Sequence, residues 1–131
     1  MDAEVRKLIQ TWIDSALGDL KVAESQAALP DDEAVIHAVC FHSQQAVEKL
    51  LKAFLMGHTV DFPKTHNLEK LTALCTHQDS EFASLEVGGL TEYAVEARYP
   101  DLMQTATLAQ AKQALTTAQR ARDFILPRVL Q

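Results

Sequence analysis

Between Val35 and Met56 the sequence is apolar almost throughout, yet His42, Gln45, Lys49 and Lys52 interrupt it. At about 100° per residue these four fall within about 80° of one helix face. They form a polar stripe on a segment that otherwise reads as a buried helix. The chemistry open to such a stripe is anion recognition: Lys49 and Lys52 can hold phosphate, and Gln45 can hydrogen-bond a base or a ribose. Arg98 and Tyr99, further along the chain, would add a charge and a stacking face. The same residues also allow a structural reading, in which Gln45 bonds a neighbouring helix, Glu48 pairs with Lys52 at i,i+4 and the lysines lie in solvent. Charge runs on helices are more often solvated faces than sites, so the structural reading starts ahead.

Other chemistries have less behind them. His66 is expected in the first turn of the short third helix, where a neutral imidazole can bond a backbone group and lock the preceding loop; with His42 it is an additional candidate for ligand contact. His37, Cys40 and His42 offer too few ligands in uncertain directions for a metal, and no spaced ligand pairs occur elsewhere, so no metal site and no cofactor is expected. Cys40 and Cys75 lack CxxC spacing and read as buried, reduced thiols with nothing nearby to make either a nucleophile. Gly88-Gly89 lacks the Lys-Ser/Thr that would follow in a phosphate-binding loop.

The elements that must position these groups are helices. Val5, Leu8, Ile9, Trp12, Ile13, Ala16, Leu17, Leu20 and Ala23 recur at three- and four-residue steps and predict a first helix over about 3–28, stopped by Pro30. Asp31 or Asp32 is expected to cap a second helix that runs to Gly57 and carries the stripe. A loop over 58–64 follows, then a short helix capped by Thr65 or Asn67 and fading near His77. A fourth helical stretch is expected over about 81–98, with a kink or break at Gly88-Gly89. Thr107 and Gln110 form a capping-box pattern opening the last helix, which Pro127 should end. The fold class is therefore all-α, an up-and-down bundle of four long helices plus a short additional helix, in one domain over 1–131.

Composition agrees. Four Gly and four Pro in 131 residues leave little turn material for an all-β chain. The first ten residues hold no long apolar run, so neither a secretory signal nor a membrane span is expected and the cytoplasm is the default location. A net charge of −6 argues against a broad, non-specific grip on nucleic acid. From Arg98 onward five basic residues face only Asp101 and Asp123, a local excess of +3. Such asymmetry suits an acidic partner or self-association.

Three blocks in order give the chain a specific likeness: Gln44-Gln45-Ala46-Val47-Glu48-Lys49-Leu50-Leu51-Lys52-Ala53, then Pro63-Lys64-Thr65-His66-Asn67-Leu68, then Arg98-Tyr99-Pro100-Asp101. Together they resemble the HEPN domain over nearly the whole chain. The resemblance implies a small helical bundle that pairs as a homodimer, is often associated with a nucleotidyltransferase, sometimes as toxin and antitoxin, and either binds nucleotide or RNA or cleaves RNA without metal at a cleft between subunits. Its nuclease members carry Arg, four to six residues, then His, because Arg stabilises phosphate charge while His moves protons. After Arg98 the required positions hold Met103, Gln104 and Thr105, and the windows after Arg6, Arg120 and Arg122 hold no histidine either. The expectation is a non-catalytic binding module with no catalytic residues. The alternatives are a divergent endoribonuclease using Arg98 with a histidine from elsewhere, and a helical protein–protein adaptor.

Overall fold

A computed structural model describes residues 2–96 and 106–129, with the side chains of residues 95 and 96 left aside. Its helices are α1 (Ala3–Ala27), α2 (Ile36–Gly57), α3 (Leu68–Gln78), α4 (Thr91–Glu96) and α5 (Leu108–Val129), with a 3-10 turn over Ser80–Ser84 between α3 and α4. No strand occurs among the described residues, so the all-helical class expected from the sequence holds.

The centre of the molecule is α2, which packs on α1 along one side and α5 along another, with α3 and α4 against it. Its apolar girth explains this position. Val39, Ala46, Val47, Leu50, Leu51, Ala53, Phe54 and Leu55 are all buried, and each Leu or Phe taken fully out of water contributes about 1.5–3 kcal/mol. Opposite them α1 contributes Ile9, Ile13, Ala16, Leu20 and Ala23, and α5 contributes Ala111, Leu115, Ala118, Ala121 and Ile125. The alanines on all three helices let the backbones approach closely.

Boundaries follow local hydrogen bonding. Asp2 caps α1 by accepting from the Glu4 N–H at 2.9 Å. The expected cap at Asp31 or Asp32 is not made. The Pro30 carbonyl accepts from the Glu33 and Ala34 N–H groups, so this stretch closes a turn of its own and α2 begins only at Ile36. The Val35 N–H bonds Gln26 Oε1 at 3.0 Å, tying the start of α2 to the end of α1. Asn67 caps α3 through the Lys70 N–H, and Thr65 Oγ1 accepts from the Asn67 N–H.

The expected fourth helix departs most. Over 81–96 the chain makes the 3-10 turn, an irregular stretch and then six residues of α4; Gly88 has φ +54. That left-handed backbone breaks the helix, and glycine tolerates it where a β-carbon would not. Among the described residues α4 is the shortest helix. Thr107 and Gln110 make both bonds of the capping box, at 2.8 and 3.1 Å. Pro127 does not end α5, which runs to Val129. Arg128 holds the last turn: its guanidinium donates to the Phe124 carbonyl, lies 3.8 Å from the centroid of the Phe124 ring and pairs with Asp79 and Glu81.

Candidate functional site

The stripe on α2 meets α1 on one flank and the 62–66 loop on the other, and two buried carboxylates organise it. On the α1 flank Asp19 takes His42 Nδ1 at 2.8 Å and Lys49 Nζ at 2.7 Å, while Lys49 also donates to Ser15 Oγ at 2.8 Å. On the loop flank Glu48 takes His66 Nδ1 at 2.7 Å and Lys52 Nζ at 3.1 Å. A carboxylate only accepts, so each histidine presents its Nδ1 proton to its acid. Asp19 and Glu48 thus do the same work: each joins one histidine to one lysine.

Gln44 joins the loop to this arrangement. Its amide nitrogen donates to the His66 carbonyl at 3.0 Å and to Glu48 Oε1 at 3.2 Å, and its amide oxygen accepts from Gln45 Nε2 at 2.7 Å. Gln44 is wholly buried, so these bonds satisfy polar atoms that would otherwise cost stability. The Thr65-His66-Asn67 turn is thereby fastened to the middle of α2. His66 precedes the cap of α3 instead of sitting in its first turn, and its ring locks the loop through a carboxylate.

The lysines do not stand in solvent. The side chain of Lys52 is 9% exposed and that of Lys49 is 24% exposed. The Lys52 ammonium lies 6.0 Å from the Trp12 ring centroid and 5.8 Å from that of Phe62, close enough for cation–π attraction. With the histidines neutral, Asp19, Glu48, Lys49 and Lys52 balance to zero. Phosphate binding at either lysine would have to compete with a carboxylate already within hydrogen-bond distance. Gln45 bonds Gln44 on its own helix, not a neighbouring one.

His42 and Lys49 therefore share one carboxylate, while Lys52, His66 and, through Gln44, Gln45 gather around the other. Arg98 and Tyr99, together with Met103, Gln104 and Thr105, lie outside the described residues. Sequence reasoning missed Asp19 and Gln44 and underrated Glu48. Signals were present: Asp19 falls within the apolar stripe made by Ala16, Leu20 and Ala23, and a carboxylate there needs a cationic partner. No group of three or more metal-ligating side chains occurs among the described residues. No helix among them is long and apolar enough to cross a membrane.

Fold and site together define a small helical bundle with a polar network built into its central helix. Residues 9–128 match the model of the HEPN domain, and the chain belongs to that family. Searches of the curated proteins and of the solved structures returned no match.

Proposed function

We propose that this protein is a non-catalytic HEPN-type binding module whose α1–α2 face pairs with a second copy of itself or with a nucleotidyltransferase partner, as in a toxin–antitoxin-like pair, and offers the resulting cleft to a nucleotide or RNA segment. The observation that carries this reading is the state of the α2 stripe: its lysines and histidines are each held by a carboxylate. A surface held this way is preorganised and close to neutral, which suits a protein partner better than a long polyanion. Around it lie the half-buried Trp12 and the 50% exposed Leu8, the kind of apolar and aromatic groups that anchor interfaces. The missing histidine after Arg98 supports binding over cleavage.

The test measures binding of nucleotides and short RNAs to the purified protein alongside its oligomeric state, with Lys49→Ala and Arg98→Ala as controls. A dimer that binds nucleotide, with binding weakened in both variants, supports the reading. Absence of both dimerisation and any ligand at low salt leaves a simple adaptor. The second reading, a divergent endoribonuclease, draws on one feature: a carboxylate on Nδ1 orients an imidazole as it does in general-base catalysis. RNA cut by the wild type and spared by His42→Ala, His66→Ala or Arg98→Ala would establish it in place of the first.

A further inference from the structure

A second stripe lies on α5. Gln110, Gln113, Thr117, Arg120 and Phe124 fall within about 80° of one face, and all five line a cavity of about 490 Å³. Its other wall comes from the irregular stretch after the 3-10 turn, including Leu85, Glu86 and Leu90. None of the α2 stripe residues lines it. The volume falls within the range of small-molecule pockets.

Lys49, Lys52 and Arg128 each have a carboxylate at hand. Arg120 and Glu86 line the same cavity, one on each wall, and among the described residues they pair neither with each other nor with any other residue. An anion bound at Arg120 would feel repulsion from Glu86, and a cation bound at Glu86 would feel it from Arg120. A ligand carrying both charges satisfies the two together. Leu85, Leu90 and Phe124 give its body apolar wall, while Gln110 and Gln113 add hydrogen-bonding capacity at the rim.

We infer that this cavity is a binding site for a small zwitterion of the α-amino-acid type, with its carboxylate on Arg120, its ammonium on Glu86 and an apolar side chain against Leu85, Leu90 and Phe124. The site is separate from the α1–α2 face and does not depend on the function proposed for that face.

Titration of the full chain with phenylalanine, phenylacetate and phenethylamine, followed by amide chemical shifts, tests the assignment. Phenylalanine should bind tightest and shift the amides of Gly88, Gly89 and Arg120. Arg120→Ala, a change on an exposed helix face, should weaken phenylalanine about tenfold or more, as expected for loss of a charge-assisted hydrogen bond. Glu86→Gln should weaken phenylalanine while leaving phenylacetate unchanged or tighter. Phenylacetate binding the wild type as well as phenylalanine does would overturn the proposal, as would no shift with any of the three at millimolar concentration or equal phenylalanine affinity in wild type and Arg120→Ala.

Discussion

Glu48 is 4% exposed and accepts hydrogen bonds from Gln44, Lys52 and His66, so a single carboxylate fixes two side chains of its own helix and the loop that leads into α3. Removing it would leave the Lys52 ammonium buried without its acid and the His66 ring without its anchor. Glu48→Ala is expected to lower the free energy of unfolding by about 3 kcal/mol, the cost of breaking a buried pair from one side, measured as a fall in the urea midpoint. A loss below about 1 kcal/mol would mean that water reaches Lys52 readily, as at a surface pair. Cys75 gives a prediction in pH. Its thiol is buried against the Leu51 carbonyl, and burial pushes its pKa from 9.0 up to about 12. The unfolded chain ionises first, so this thiol's contribution to stability is intact below about pH 9 and is lost as pH rises toward about 12. In urea titrations, Cys75→Ala should flatten the fall in stability across that window relative to wild type; equal slopes would refute the assignment.

At the scale of elements, capping separates what local sequence can specify from what it cannot. Thr107 and Gln110 bond each other's backbone N–H groups three residues apart, so the start of α5 was legible without any knowledge of its neighbours. Thr107→Ala should cost about 1 kcal/mol, read from thermal or urea unfolding, while helix content in the native baseline stays the same. The other end of α5 was not legible. Proline in a final turn removes one N–H and commonly ends a helix, but here Arg128 reaches back to the Phe124 carbonyl and across to Asp79 and Glu81. Those carboxylates come from a segment more than forty residues earlier, and no local rule brings them there. The same limit applied at Asp31 and Asp32, where the residue types fit a cap but the Pro30 carbonyl claimed the next N–H groups first.

At the scale of the whole molecule, the proposed pairing makes α1 the element to perturb. Leu8 is half exposed on α1, whose Trp12 lies beside the Lys52 end of the stripe. If the α1–α2 face is the contact between copies, Leu8→Glu should convert a dimer to a monomer in sedimentation velocity, by placing a charge in an apolar contact, without altering the circular dichroism. A wild type that sediments as a monomer at every concentration would remove the homodimer. A variant that remains dimeric would move the contact to another face.

Periodicity determined, from the sequence alone, that this chain is a helical bundle, that α2 is its central helix, and that a polar stripe crosses an apolar segment. Those properties depend on the order of residues along one helix, which is fixed before any helix meets another. The three blocks of residues determined the family for the same reason, since a motif is itself an order. Tertiary structure alone decided the partners of Lys49 and His66. Asp19 reaches Lys49 across thirty residues and Glu48 reaches His66 across eighteen, and both distances depend on how α1 and the loop pack against α2. The second stripe, on α5, obeys the same 80° rule as the first. Its meaning lies in a cavity that exists only once the chain has folded, lined by Glu86 from another segment as well as by Arg120.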